Sequence, residues 1–246
     1  MLTLTFIYNI QYFIKTLYIN DIDNLEENMD SENIIYQRKS IRSFSSKKLS
    51  DNIIEEIVLD GTRAPSWENA QPWEVYVATG NSLENIRKQY MDSETMGKAP
   101  KSDLTIPGLG EWSKTSISNV EVWGESVKEA VGEKGTSDPE MQNADHNLFY
   151  APAIVYITAN INASEYSIYD IGAFGQTLML AAKSKGVDSI PAFQFVKYPD
   201  IIKNVLEIPD NQKIVVGIGL GYADNSRLNN ILTRRAPIDQ ILHIKK

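Results

Sequence analysis

The chain has 246 residues, of which 42% are hydrophobic and 23% are charged, a balance typical of a globular protein of one large or two small domains. Its net charge of −8 argues against nucleic-acid binding, and the lack of a run of about 18 apolar residues argues against a membrane-spanning helix. The absence of cysteine excludes disulfides and thiolate chemistry and is consistent with a cytoplasmic protein, and with only two histidines we expect no metal site.

Residues 1–30 differ from the rest of the chain. They open with the apolar sequence MLTLTFIYNIQYFIKTLYIN, which has no basic beginning and no small-residue cleavage site and is therefore a poor signal peptide. Met29 comes just before the first segment that resembles folded structure. We interpret residues 1–30 as an N-terminal extension or a misassigned start, and residues 31–246 as one domain. The alternative is a real helix or strand that packs on the domain or on a partner.

The first predicted helix and strand enclose an unusual loop. Apolar residues recur at helical spacing between Ser50 and Arg63, and Ser50 can cap this helix. Residues 73–80, WEVYVATG, alternate as a strand does. The loop between them, TRAPSWENAQPW, holds two Pro, two Trp, a Ser, an Asn and a Gln. A simple connection does not need so many amides and aromatic rings.

Residues 91–150 are polar but contain Trp112, Trp123 and Tyr150. We expect helices that cross over the main body like a lid, although a surface insertion without a role fits the composition equally well. For each of the three aromatic residues, we expect a buried ring rather than a pocket-lining one.

The second half of the chain predicts two buried strands and two helices. Residues 153–160 and 213–222 are nearly continuous apolar runs, which suit buried strands. Residues 167–185 predict a long helix that ends at Gly186, and YPDIIKNVLEIP predicts a short helix between prolines. Because helices alternate with strands, the fold class is α/β or α+β. The residues expected on the inner face of the long helix are Ile168, Ile171, Phe174, Leu178, Met179 and Ala182.

Two segments are candidates for ligand binding. RKSIRSF places Arg38, Lys39, Ser40 and Arg42 together, and such a group can bind a phosphate, although an isolated basic turn is more often simply solvated. In the loop, Pro65 and Pro72 restrict the backbone, while a hydroxyl and two amides offer donors and acceptors. The alternative for the loop is a helix cap that buries its two Trp. The polar residues of the loop are Ser66, Asn69 and Gln71.

Three further segments have simpler interpretations. The long helix has a face of small residues, which serves either core packing or a dimer interface. In SIPAF, residues 189–193, the Pro leaves nearby N–H groups available to a ligand. GIGLGY, residues 217–222, lacks the helix and the acidic residue of a dinucleotide fingerprint, so we interpret it as a strand with small residues for close packing.

The order of these segments resembles the nitroreductase family of flavoproteins over residues 31–246. RKSIRSF comes about 25 residues before APSWENAQPW, and a small-faced helix, SIPAF, GIGLGY and a final RAP follow. The resemblance implies an α+β sandwich, with a mostly antiparallel central sheet flanked by helices, in an intertwined homodimer with FMN at the interface. It also implies a ping-pong reaction that passes electrons from NADH or NADPH to small electron-poor acceptors such as nitroaromatics and quinones.

The resemblance also assigns roles to residues of this chain. Arg38 and Arg42 correspond to basic residues that lie at the phosphate and the pyrimidine edge of FMN. The loop TRAPSWENAQPW corresponds to a loop that contacts the flavin, in part from the other subunit. Pro191 to Phe193 correspond to a stretch whose backbone lies beside the flavin N5. Arg235 corresponds to a C-terminal residue that binds the phosphate, and Arg234 is the alternative for this role. No catalytic side chain is implied, because the flavin carries the chemistry. The expected FMN-binding residues are Arg38, Ser40, Arg42, Pro65, Ser66, Asn69, Gln71, Pro191, Ala192, Phe193, Arg234 and Arg235.

Three residues of the candidate site and the type of flavin reaction are considered separately from the family pattern. Ala192 stands where many relatives have a polar residue, so only its backbone N–H is left for the flavin. We hypothesise that Arg42 raises the reduction potential of the flavin, while Lys39 faces solvent. The alternatives are another flavin reaction on the same fold, such as dehalogenation, flavin fragmentation or azoline oxidation, or a flavin-binding protein without catalysis.

Overall fold

The computed structural model describes residues 34–246, apart from the side chain of Leu109. The chain divides into two compact units, Met1–Arg38 and Lys39–Lys246. In the first unit residues 34–37 are helical, and the N–H of Arg38 donates to the carbonyl oxygen of Ile34 at 2.9 Å. The predicted N-terminal extension lies outside the described residues.

The second unit is an α+β fold, as the sequence predicts. Short 3-10 turns connect longer helices and strands. The helices of its described residues are α1 (Asp51–Gly61), α2 (Gly80–Thr95), α3 (Lys114–Val131), α4 (Pro139–His146), α5 (Glu165–Ser184) and α6 (Pro199–Leu206). The strands are β1 (Glu74–Thr79), β2 (Ala153–Asn160), β3 (Asp188–Pro191) and β4 (Gln212–Gly221).

The four strands form one antiparallel sheet in the order β1-β2-β4-β3. Helices cover both faces, which explains why β2 and β4 are apolar without alternation. On one face Val155 of β2 shares a core with Ile57 of α1 and Phe174 of α5. On the other face Tyr156 of β2 shares a core with Ile86 of α2. This two-sided core confirms the predicted mostly antiparallel sandwich.

Local sequence signals explain where α1 and α5 begin and end. The hydroxyl oxygen of Ser50 accepts a hydrogen bond from the N–H of Ile53 at 3.4 Å, as predicted for the cap of α1. After α5, Gly186 adopts φ +71°, and its N–H donates to Lys183 O at 3.0 Å. The N–H of Val187 donates to Ala182 O at 2.9 Å, which completes a Schellman ending.

Three predictions about apolar side chains need correction. Ile168 at the start of α5 is only half-buried, because the helix begins beyond the edge of the core. Trp123 is 37% exposed and Tyr150 is 38% exposed, so neither ring is buried within this chain. The segment between β1 and β2, which we call the helical excursion, is built mainly of helices, as expected. It leaves aromatic surface exposed. Among the described helices, none is both long and apolar enough to cross a membrane.

The glycines of GIGLGY allow a ring to lie flat on β4. A Cβ on Gly217 would lie 2.5 Å from the Cβ of Phe195, and one on Gly219 would lie 2.8 Å from its Cζ. Real Cβ atoms do not approach so closely, so only glycine permits this contact. The structure therefore confirms that the segment is a strand with small residues for close packing.

Gly219→Ala is expected to lower the free energy of unfolding by about 1–3 kcal/mol, because the new methyl group has no space against the Phe195 ring. Urea denaturation measures the change. Gly124→Ala in α3 is the control, since a Cβ there meets no atom within 4 Å. It is expected to be neutral or to stabilise the protein by up to about 1 kcal/mol. Equal effects of the two substitutions would contradict the packing explanation.

Candidate functional site

The fold brings the basic segment of RKSIRSF next to SIPAF. Ser40 forms a parallel bridge with Ser189, and the N–H of Ile41 donates to the carbonyl oxygen of Ser189 at 3.1 Å. Ser189 belongs to β3, which ends at Pro191. Two segments that are far apart in the chain therefore lie side by side at the edge of the sheet.

A buried amide, Asn229, holds this basic segment in place. Its Oδ1 accepts hydrogen bonds from the N–H groups of Arg42 at 2.8 Å and Ser43 at 3.1 Å, and its Nδ2 donates to Ser43 O at 2.8 Å. Its carbonyl oxygen accepts from Lys39 Nζ at 2.6 Å, so Lys39 has a partner although its side chain is exposed, as expected. Sequence reasoning missed Asn229, because a single amide in a polar segment carries no motif.

Arg42 is a half-buried cation to which the described part of the chain gives no acidic partner. Its Nη1 donates to Ser40 O at 3.2 Å, and none of the ion pairs among the described residues involves it. Burial lowers the pKa of the guanidinium from its ordinary value, although arginine stays protonated. A buried charge without a counter-charge is costly, so this position suits an anionic ligand.

The amide-rich loop has an unusual backbone. Glu68, Asn69 and Gln71 adopt φ values of +48°, +56° and +49°, in the left-handed region that non-glycine residues rarely occupy. The Oγ of Ser66 accepts a hydrogen bond from the N–H of Gln71 at 3.0 Å and so closes the loop on itself. Strained residues of this kind are common at ligand-binding sites. The side chains of Asn69 and Gln71 are exposed and available.

The loop is anchored to α5. The N–H of Trp67 donates to Oδ2 of the buried Asp170 at 3.0 Å, and the Trp73 ring packs on Phe174 with centroids 4.8 Å apart. Trp73 therefore packs against the core. Trp67 is 60% exposed, and its ring lies 5.2 Å from the exposed ring of Tyr166, so the alternative of a loop that buries both Trp does not hold.

The backbone after Pro191 is less available than the sequence suggests. The N–H of Ala192 donates to Gly217 O at 3.3 Å, so the expectation of a free N–H at this position is wrong. The hydrogen bonding between β3 and β4 therefore continues past Pro191. Phe193, by contrast, is exposed at the start of a 3-10 turn that ends at the buried Phe195.

The two arginines near the C-terminus have partners of their own. Arg234 pairs with Glu129 at 2.6 Å, and Arg235 donates to its neighbour Thr233. Both side chains are exposed. Arg38 ends the first unit of the chain, and its role stays a prediction.

A carboxylate on α2 ties the segment after SIPAF to the helical excursion. Glu94 accepts hydrogen bonds from Gln194, at 3.1 Å, and from Lys197, two buried polar side chains, and it also pairs with His146 at the end of α4. Burial acts to raise the pKa of Glu94, but the hydrogen bonds outweigh it, and the pKa lies below its ordinary value. Glu94 therefore stabilises the fold as a carboxylate.

Glu94→Gln is expected to lower the free energy of unfolding by roughly 1–3 kcal/mol at neutral pH, because it weakens charged hydrogen bonds. A carboxylate with a lowered pKa stabilises the fold above its ordinary value of 4.5, and this stabilisation is lost as the pH falls through the folded-state value. The difference between variant and wild type should therefore shrink in acid. Glu84→Gln, which removes an exposed partner of Arg87, is the control and should change stability by less than about 0.5 kcal/mol. A difference that persists at low pH would contradict the role of the charge.

Cavity size alone does not identify the site. A cavity of about 820 Å³ is lined by residues such as Phe44, Lys48, Arg87 and Tyr150, and it contains none of the predicted ligand-binding residues. Smaller cavities of about 390 Å³ and 360 Å³ lie beside Lys39 and beside Gln71. The two predicted binding segments thus border separate cavities within one chain.

Comparison with known proteins identifies relatives over most of the chain. The model of the nitroreductase family matches residues 35–222. A 4-nitrobenzoate reductase of Pseudomonas putida is 29% identical over 221 residues, spanning 87% of this chain and 95% of the relative. A nitrobenzene nitroreductase of Ectopseudomonas oleovorans is 28% identical over 207 residues, spanning 81% and 89%. The FMN-dependent nitroreductase NfnB of Mycobacterium smegmatis, solved in complex with NADPH, has the same fold, with a TM-score of 0.82 and 22% identity over 89% of this chain and 99% of that one.

Proposed function

The chain belongs to the nitroreductase family, and from this we propose that it is an FMN-dependent oxidoreductase that passes electrons from NADH or NADPH to nitroaromatic or similarly electron-poor small molecules. The lack of cysteine supports a cytoplasmic location. Relatives named for the reduction of 4-nitrobenzoate and nitrobenzene support the acceptor class.

The observation that carries this proposal is the half-buried charge of Arg42, for which residues 34–246 provide no counter-charge. FMN has an anionic phosphate and a flavin ring that gains negative charge on reduction, and either would compensate this cation. Asn229 fixes the backbone of Arg42, so the charge is held in place before the ligand arrives. Ser40 adds a hydroxyl beside it, and the exposed amides of Asn69 and Gln71 suit the mixed donors and acceptors of a flavin edge.

The arrangement supports a homodimer in which two copies share each site. Trp67 is bonded to Asp170 near the start of α5, whereas Ser40 bridges to β3, beyond Lys183 at the end of α5. From Asp170 to Lys183 the helix advances by roughly 20 Å, at about 1.5 Å per residue. The loop and the basic segment of one chain are therefore apart, and a second copy supplies the missing half.

The proposed reaction needs no acid or base from the protein. Bound to these residues, FMN would supply the redox chemistry, namely uptake of a hydride from NAD(P)H and transfer of two electrons to the acceptor. A nitro group that takes up two electrons and two protons becomes a nitroso group and releases one water. The hydride carries one of the protons, and solvent supplies the other. The residues of this chain bind and orient the cofactor, and Arg42 favours its negatively charged reduced form.

Flavin spectroscopy tests the proposed function. The purified protein, loaded with FMN where needed, is expected to be yellow and to bleach anaerobically on addition of NADH or NADPH. A nitroaromatic should then restore the colour. A colourless protein that binds no added FMN would contradict the proposal, and a yellow protein that neither nucleotide bleaches would identify a binding protein instead.

Arg42→Ala is expected to weaken FMN binding at least about tenfold, as the loss of a charged hydrogen bond implies, and to lower the reduction potential of any flavin retained. Titration with FMN and a redox titration with a reference dye measure both effects. Lys48→Met, which removes an exposed cation a few residues later, is the control and should change neither. An unchanged potential in Arg42→Ala would remove Arg42 from this role.

Mixing two inactive variants tests whether the site is shared. Arg42→Ala damages the basic segment, and Asn69→Asp damages the loop with little change in shape. If each site takes one segment from each copy, co-expression is expected to restore FMN binding at one of the two sites of every mixed dimer. Differently tagged chains allow the mixed dimer to be isolated. If both segments of a site come from the same chain, the mixed dimer will have no intact site.

A further inference from the structure

An apolar groove begins where the proposed function places the flavin. It has a volume of about 320 Å³, near the lower end of the range for ligand pockets. One wall is the turn from Pro191 to Phe193, and the opposite wall is the segment 104–107. Ile106 and Phe193 are both partly exposed, so the groove is open to small molecules within one chain.

The described residues that line this groove include no charged side chain. Their side-chain polar groups are the hydroxyls of Ser102 and Thr105. The Oγ of Ser102 accepts a hydrogen bond from the N–H of Leu104 at 3.2 Å, which leaves its hydroxyl hydrogen to donate to a ligand. The groove therefore offers apolar contact and neutral hydrogen-bond donors.

Of the charged residues nearest to the groove along the chain, two are paired with other side chains and a third lies outside the groove wall. Asp103 pairs with Lys203 at 2.9 Å and accepts from the N–H of Ile214 at 2.9 Å. Lys197 is buried against Glu94. Lys101 is exposed, but its side chain is not part of the groove wall.

We propose that this groove binds the ring of the electron acceptor and selects uncharged nitroaromatics over nitroaromatic carboxylates. The proposal rests on the proposed function and narrows its substrate class. A carboxylate in the groove would lose its water without gaining a cation, whereas an uncharged ring gains apolar contact. The serine and threonine hydroxyls can donate to the nitro oxygens. The chain would thus differ in preference from a relative named for 4-nitrobenzoate.

A matched pair of acceptors tests this selectivity. Methyl 4-nitrobenzoate and 4-nitrobenzoate share the nitroaromatic ring and differ in the negative charge. With the FMN-loaded protein and whichever nucleotide bleaches it, the ester is expected to have the higher kcat/KM, by at least about tenfold. Equal values, a preference for the carboxylate, or no reduction of either acceptor by a protein that bleaches normally would overturn the proposal and leave the flavin function intact. Failure to bleach would instead contradict the proposed function.

Charge substitutions then locate the selectivity. Thr105→Arg is expected to raise the kcat/KM for 4-nitrobenzoate, relative to that for the ester, by about tenfold, because it places a cation in the groove. Thr105→Gln adds length without charge and should leave the ratio unchanged, as should Lys101→Met. A ratio that changes in Lys101→Met but not in Thr105→Arg would overturn the proposal. So would a Thr105→Arg protein that loses its oligomeric mass, because the groove would then be a contact between copies.

Discussion

The close contact between Phe195 and the glycines of β4 is the constraint on which the rest of the fold depends. Because Gly217 and Gly219 have no side chains, the ring lies directly on the strand. The backbone of Phe195 accepts a hydrogen bond from Tyr90 of α2 at 2.8 Å, and its ring meets the edge of Phe149 at 5.7 Å. One buried residue, Phe195, therefore connects the sheet, the helical excursion and the turn that begins at Pro191.

The same principle, a fixed scaffold under an exposed segment, explains the electrostatics of the candidate site. A guanidinium that is partly withdrawn from water normally pairs with a carboxylate. Arg42 has no such partner among the described residues, while Asn229 holds its backbone and the carbonyl oxygen of Ser40 accepts from its side chain. The uncompensated charge lowers the stability of the folded state, and an anionic ligand would restore that stability by compensating the charge. Such a position is expected at a binding site and is hard to explain as packing alone.

Sequence reasoning predicted what depends on local signals. The bounds of β2, the cap at Ser50 and the ending at Gly186 follow from apolar runs, a hydroxyl and a glycine, and all are found in the structure. It could not predict interactions set by tertiary contacts. Asn229 has no motif, and the N–H of Ala192 is paired only because β4 continues beside it. Exposed Trp67 violates the average behaviour of its residue type, which a single sequence cannot reveal.

The separation of the two binding segments has a consequence for how the site forms. The loop is anchored near the start of α5, and the basic segment lies beyond its end, so roughly 20 Å of helix lies between their anchors within one chain. Each half is nevertheless fully formed in the isolated chain, the loop by its own hydrogen bonds and the basic segment by Asn229. In the homodimer that we propose, assembly of two copies would therefore join two prepared surfaces. Little further ordering would be needed, which would favour tight cofactor binding at the proposed interface.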